Sequence, residues 1–203
     1  MLAITGGKGG VGKTTTALGL AAAAARRGRE PIVVDGDSDL PDLATVAGTD
    51  GKGLARFARG DTPSVAGTQV AGVTVLGARL GDDGLVEPAL RRLSDARRFV
   101  VVDCPAGAGE PAALPLTYAT RSVVVTTGTE RALADGQKAA DMAGRLGAPL
   151  VCVARCSSDT DGRIADGFDV PVVPVPAVAA GRQWRGVETA YGRLYERITR
   201  QNA

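Results

Sequence analysis

The sequence predicts an α/β fold, a single doubly wound, mostly parallel β-sheet flanked by helices. Three observations predict it. Short Val-rich runs alternate with helical patterns along the chain, which is how a parallel sheet covered on both faces reads. Two of those runs end in an aspartate, Asp35 and Asp103. A glycine-rich stretch, Gly-Gly-Lys-Gly-Gly-Val-Gly-Lys-Thr-Thr over residues 6–15, separates the first apolar run from the first helical one. A strand, a glycine loop and a helix form a known supersecondary unit.

The elements follow in order. Leu2-Ala3-Ile4-Thr5 reads as the first strand, and the alanine-rich run after Lys13 as a helix stopped by Gly28. Residues 32–35 form the second strand. Residues 70–76 read as a third, preceded by Pro- and Gly-rich sequence. Residues 85–96 read as a helix carrying Arg91 and Arg92. Strands follow at 99–103, 122–127 and 150–154, with a helix at 130–146 ended by Gly147. A short last strand covers 171–175. A terminal helix at 185–200 places Val187, Tyr191, Leu194 and Ile198 on one face. The whole chain, residues 1–203, is expected to be one domain. In such sheets ligands bind at the carboxyl ends of the strands, where the glycine loop, Asp35 and Asp103 project.

Composition narrows the chemistry. Hydrophobic residues make up 44% of the 203 residues and aromatics only 3%, so the core is built from Val, Leu, Ile and Ala. A net charge of +2 gives no strong signal for nucleic acid or an acidic substrate. Histidine is absent, which removes Ser-His-Asp catalysis and every histidine-containing zinc site. The odd count of cysteines, Cys104, Cys152 and Cys156, has no framework spacing and reads as free thiols in a reducing cytosol. The opening Met1-Leu2-Ala3-Ile4 has no basic region, so no leader is expected, and no apolar run approaches the roughly 20 residues of a spanning helix. A cytoplasmic location is expected, with a peripheral place at a membrane or nucleoid left open.

Gly7, Gly12, Lys13 and Thr14 satisfy the G-x-x-x-x-G-K-[ST] pattern of a phosphate-binding loop. Glycines let successive N–H groups turn inward toward phosphate oxygens, and a Cβ at Gly9, Gly10 or Gly12 would crowd that cradle. The helix that begins near Lys13 adds the positive end of its dipole. Lys13 is expected to reach the β- and γ-phosphates, and Thr14 to bind Mg²⁺. Only four lysines accompany twenty arginines, and two of the four, Lys8 and Lys13, lie in this loop. An acid at the tip of a buried strand beside such a loop holds Mg²⁺ through its water shell. Asp103 is placed for this, and so is Asp35. Asp35 is expected to face the metal and Asp37, two residues on, to face outward and position the attacking water.

Gly-Lys-Gly-Gly-Val-Gly-Lys-Thr-Thr (7–15), Val-Val-Asp-Gly-Asp (33–37), Asp-Cys-Pro-Ala-Gly (103–107) and Val-Val-Val-Thr-Thr (123–127) resemble the deviant Walker A P-loop ATPases, the MinD/ParA family. The likeness runs from Met1 to about Val178. Asp-x-Pro-Ala-Gly at 103–107 and the Thr126-Thr127…Glu130 run look more like MinD than ParA. The resemblance implies ATP/ADP and Mg²⁺ as ligands, nucleotide contacts along residues 7–15 (Gly7, Lys8, Gly9, Gly10, Val11, Gly12, Lys13, Thr14, Thr15), and Mg²⁺ held by Thr14, Asp35 and Asp103. It implies that Lys8 crosses an ATP-state homodimer to the partner's nucleotide while Lys13 acts in cis and Asp37 orients the hydrolytic water. Asp37 and Pro105, Ala106 and Gly107 correspond to the two switches that sense the γ-phosphate.

The chain departs from the family at several points. MinD proteins commonly carry Asn-Arg after the strand that here ends in Ala154-Arg155. Base recognition is then assigned to Arg155 and to backbone near Pro174 and Val175. The glutamate usual after Gly107 is displaced to Glu110, with Gly109 in its place. The tail lacks the basic, Phe/Leu-rich helix of bacterial MinD, so packing on the sheet is expected. The resemblance implies a protein activator or adaptor and a role in positioning a division site, a surface structure or a DNA cargo. A membrane surface and non-specific DNA, the latter through Arg91, Arg92, Arg97 and Arg98, both stay open as the matrix. An ATP-dependent synthetase, an iron–sulfur carrier on the same fold, and a nucleotide-binding module without turnover remain the competing readings.

Overall fold

A computed structural model describes residues 1–157, 167–177 and 188–200. Eight strands form one sheet in the order β3-β4-β2-β5-β1-β6-β7-β8. These are β1 (Leu2–Thr5), β2 (Ile32–Asp35), β3 (Thr68–Val70), β4 (Val73–Leu76), β5 (Val100–Asp103), β6 (Arg121–Thr127), β7 (Leu150–Ser157) and β8 (Val172–Pro176). Every pairing is parallel except β3 with β4. The doubly wound, mostly parallel sheet expected from the sequence is the sheet observed.

Helices cover both faces. They are α1 (Lys13–Ala25), α2 (Leu43–Ala47), α3 (Gly53–Ala58), α4 (Pro63–Ala66), α5 (Asp83–Ser94), α6 (Glu110–Tyr118), α7 (Glu130–Arg145) and α8 (Glu188–Arg200). Strand alternation decides which side chain meets which layer. Val33 and Val101 pack with Leu18 and Leu20 of α1 and with Tyr191, Leu194 and Ile198 of α8. Their chain neighbours Ile32, Val34, Val100 and Val102 pack on the other face with Leu54 and Phe57 of α3 and Leu90 and Leu93 of α5. Both faces of the central strands are buried, so these runs are continuously apolar rather than alternating.

The segment expected as one strand at 70–76 is a hairpin. Val70 pairs with Val73 across a two-residue turn in which Ala71 and Gly72 both have positive φ, 51° and 79°. Two-residue turns of this kind suit the twist of antiparallel strands. An alanine at the first position hid the turn, because Ala seldom takes that conformation. The helix expected at 85–96 is shifted to α5. The β7 strand extends past Ala154 to Ser157. Arg185 and Val187, expected in the terminal helix, lie outside the described residues.

The small residues of α1 have a packing reason. Ala17, Ala21, Ala22, Ala23 and Ala24 are buried, which lets the helix sit close to the sheet. Gly19 faces the ring of fully buried Tyr191, and a Cβ at Gly19 would fall on that ring. The apolar face of α8 is therefore used in the core, as the sequence led one to expect. In an exposed helix Gly→Ala stabilises by about 1 kcal/mol. Here the sign reverses. Gly19→Ala is expected to destabilise by about 1–3 kcal/mol through overpacking, read as a lower urea midpoint, and a raised midpoint would contradict this packing.

Candidate functional site

Three strand ends converge. The central strand β1 runs between β5 and β6, and β5 pairs with β2, so the carboxyl ends of β1, β5 and β2 lie side by side. The glycine loop leaves β1, Asp103 ends β5 and Asp35 ends β2, with Asp35 and Asp103 register neighbours. The chain leaving β5 is tied back to this point. The Cys104 N–H donates to the Ile4 carbonyl at 3.0 Å and the Gly107 N–H to the Gly6 carbonyl at 3.1 Å.

The loop is shaped by its glycines at two places. Gly12, the N-cap of α1, has φ 97°, and a Cβ there would meet the Cys156 sulfur at 3.0 Å. Gly7 has no room for a side chain because Asp135 of α7 packs against it. Around Gly9 and Gly10 the space is open, as a cradle for an external group requires. The two lysines divide. Lys13 is buried and its ammonium donates to the Lys8 carbonyl at 3.2 Å, folding the loop over the start of α1. Lys8 itself is exposed.

A cleft of about 920 Å³ opens over these elements, lined among others by Lys13, Thr14, Asp37, Asp42, Asp103 and Ala106. Asp35 is fully buried and Asp103 is 2% exposed. Burial pushes the Asp35 carboxyl up to about 7, against the pull of N–H bonds from Asp37 and Ala78, with Asp42 and Asp37 adding like charge. Burial, and next the Asp35 charge, pushes Asp103 well above the carboxylate range, while Thr14 and Lys13 pull the other way. The Asp103 Oδ1 is buried with no hydrogen-bond partner. Two adjacent buried acids with an orphaned oxygen beside a threonine hydroxyl are costly alone and suited to a hydrated cation. The donors on the cleft, Asp103 and Thr14, fit Mg²⁺ as hard oxygens with room for water. Asp35 is not part of the lining, and its two oxygens accept the Asp37 and Ala78 N–H groups.

The Asp37 carboxylate accepts the Leu40 N–H at 3.0 Å, and its own N–H donates to Asp35 Oδ1 at 3.1 Å. The expectation that Asp35 and Asp37 diverge along an extended segment does not hold in that form. Residues two apart on a strand share a face, and β2 ends at Asp35. The chain turns after it, and the turn leaves Asp37 on the cleft. Ala106 also lines the cleft, whereas Pro105 is buried and does not line it. Arg155, Pro174 and Val175 are not brought to this cleft. Arg155 and Pro174 are register neighbours on β7 and β8. The Arg155 side chain is 7% exposed and Val175 lies in the core.

Sequence reasoning missed Asp42. The hydroxyl of Thr14 donates to Asp42 Oδ1 at 2.7 Å, across 28 positions in sequence. Asp42 lies in an acidic turn that reads locally as a helix cap, so no local signal marks it. The arginine cluster at 91–98 is largely engaged within the chain. Arg91 pairs with Glu87 at 3.2 Å, Arg98 with Glu30 at 2.6 Å, and the Arg92 guanidinium lies 4.3 Å from the Phe57 ring centre. All three cysteines are free and buried. Burial pushes the Cys152 and Cys156 thiols up to about 11. Among the described residues no helix is long and apolar enough to cross a membrane.

Residues 2–155 match the sequence profile of the CbiA family, the CobQ/CobB/MinD/ParA nucleotide binding domain. The chain is 29% identical over 191 residues to an uncharacterized ATP-binding protein of Methanocaldococcus jannaschii, covering 86% of this chain and 72% of that one. It is 31% identical over 178 residues to an iron–sulfur cluster carrier protein of Pseudomonas fragi, covering 75% of this chain and 58% of the other. Its fold is similar to that of the septum site-determining protein MinD from Pyrococcus horikoshii complexed with Mg-ADP. There the TM-score is 0.77 with 20% identity, over 100% of this chain and 98% of that one. The profile spans the glycine loop, both strand-end acids and the strands that carry them, and by that match the chain belongs to the CobQ/CobB/MinD/ParA nucleotide-binding domain family.

Proposed function

We propose that this chain is a MinD/ParA-like ATPase, a switch that dimerises on Mg·ATP and hydrolyses it slowly under the control of a partner. The cycle would position a cargo, such as a division site, a surface structure or DNA, in the cytoplasm. The observation that carries this reading is the division of labour between the loop lysines. Lys13 is turned inward and Lys8 outward at the loop tip. Among the described residues Lys8 has no ion-pair partner. An exposed ammonium on the loop beside the phosphate cradle would be placed to serve a second subunit's nucleotide, much as an arginine finger does.

Within one subunit the loop N–H groups and Lys13 would hold the phosphates of ATP or ADP. Thr14, Asp35 and Asp103 would hold Mg²⁺ and its waters. When bound, the ion would neutralise charge that develops on the phosphoryl group during transfer. Asp37 would orient the attacking water. It needs only a fixed position for that, because the transition state is loose, and its bond from the Leu40 N–H supplies one. Ala106 and Gly107, the latter bonded to Gly6 of the loop, would report the γ-phosphate to an adaptor. The base contacts that the resemblance implies for Arg155 and the backbone at Pro174 and Val175 would lie outside the cleft described, which these residues do not line.

Light scattering tests this reading. With ADP the mass should be that of one 20.6 kDa chain, and with Mg·ATP it should double. Asp37→Ala should trap the dimer and Lys8→Ala should abolish it. A monomer in Mg·ATP for both wild type and Asp37→Ala would favour a nucleotide-binding module without the switch.

The carboxylate pair generates a second expectation. Folded Asp35 and Asp103 hold protons that the unfolded chain, with carboxyl groups near 3.9, has lost. The unfolded state binds fewer protons, so stability without ligand falls as pH rises from about 4 to about 7. Asp103→Asn removes a buried ionisable group whose carboxyl burial and Asp35 push up, and should stabilise the ligand-free chain at pH 7.5. That gain should vanish near pH 4. A gain independent of pH, or a loss at pH 7.5, would contradict the pairing.

A further inference from the structure

Asp42 occupies the N-cap position of α2 but its side chain makes no capping bond. An aspartate there normally accepts an N–H of the first helical turn. This one reaches away from its own helix to the Thr14 hydroxyl at 2.7 Å. It lines the same cleft as Asp103, whose Oδ1 is buried and unpartnered. The segment 36–42 is therefore anchored to the site at both ends. At its start the Gly36 N–H donates to the Asp103 carbonyl at 2.8 Å and the Asp37 N–H to Asp35 Oδ1. At its end Asp42 holds Thr14. Between the two anchors lie Asp37, bonded to the Leu40 N–H, and Leu40 itself, 79% exposed.

A threonine hydroxyl has one proton and two lone pairs. The hydroxyl also pulls on the Asp103 carboxyl, and with its proton turned to Asp42 at 2.7 Å instead the oxygen presents lone pairs on the Asp103 side. We propose that Asp42 is a positioning residue for the cation. It fixes the Thr14 hydroxyl as an acceptor facing the cleft, and it couples occupancy of the loop to the order of the 36–42 segment. This inference rests on the reading of the loop as a Mg²⁺·nucleotide site. A cation on Thr14 draws electron density from the hydroxyl, strengthens the bond to Asp42, and so tightens the far anchor of the segment that carries Asp37. Groups that orient a metal ligand in this way commonly account for 10–100-fold in metal affinity.

The test is ADP binding by calorimetry in Mg²⁺ and in EDTA, with hydrogen exchange of the 36–43 amides in both, on wild type, Asp42→Ala and Asp42→Asn. Wild type should bind more tightly in Mg²⁺ and show slowed exchange across 36–43. Asp42→Ala should lose about 10-fold of the Mg²⁺-dependent gain and show no slowing. Its affinity in EDTA should not fall, because an acidic charge beside the phosphates has been removed. Asp42→Asn keeps an acceptor oxygen and should recover most of both effects. If wild type shows the Mg²⁺ gain and Asp42→Ala matches it in affinity and exchange, the proposal is wrong while the nucleotide site stands. If Asp42→Asn loses as much as Asp42→Ala, charge rather than the accepted proton is at work and the proposal is again wrong. If wild type binds no ADP in either buffer, the nucleotide reading fails and this one with it.

Discussion

Two carboxyl groups lie side by side at the ends of two buried parallel strands, and the rest of the site is arranged around that constraint. Asp35 and Asp103 are register neighbours at 0% and 2% exposure. Neither has a salt-bridge partner among the described residues. Such a pair carries a desolvation penalty and mutual repulsion. The fold keeps it because β2 and β5 are neighbours beside the strand that feeds the glycine loop. Strand order therefore places the acids, the loop and the first turn of α1 together. The local cost is offset by the apolar contacts on both sheet faces.

The surrounding hydrogen bonds connect this point to the segments that follow β2 and β5. Asp35 receives the Asp37 N–H, Asp42 receives the Thr14 hydroxyl, and Gly6 receives the Gly107 N–H. Each bond joins the loop or its acids to one of the two segments after β2 and β5. A ligand at the loop would meet groups bonded to both. This is local electrostatics coupled to a small number of backbone anchors, and it needs no long pathway through the core.

Much of this was legible because the signals are local. The glycine loop, the two Val-Val-Asp strand ends, the helix at 130–145 with its glycine stop and the buried face of α8 are each defined by contiguous residues. What was missed depends on the third dimension. The 68–76 hairpin turns at an alanine in a conformation that Ala rarely adopts. The short helices α2, α3 and α4 and the Pro-containing α6 have too few turns to show a period. Asp42 sits in an acidic turn whose composition suggests a cap, and only the fold reveals that its partner is Thr14. The assignment of Arg155, Pro174 and Val175 came from resemblance alone, and the cleft does not include them. The relation to known proteins shows family and fold, and the relatives range from MinD to an iron–sulfur carrier, so the proposed role rests on the loop and its two lysines.

The central claim is that the strand-end acids are built to be neutralised by a cation bound with nucleotide. Thermal unfolding followed by circular dichroism tests it most directly, at pH 7.5, with ADP in EDTA, with Mg²⁺ alone and with Mg²⁺ and ADP together. The account predicts that the combination raises the midpoint by more than the two separate increments added. Equal midpoints for ADP in EDTA and in Mg²⁺ would contradict it, and would leave Asp35 and Asp103 as buried charges with no counter-ion to explain them.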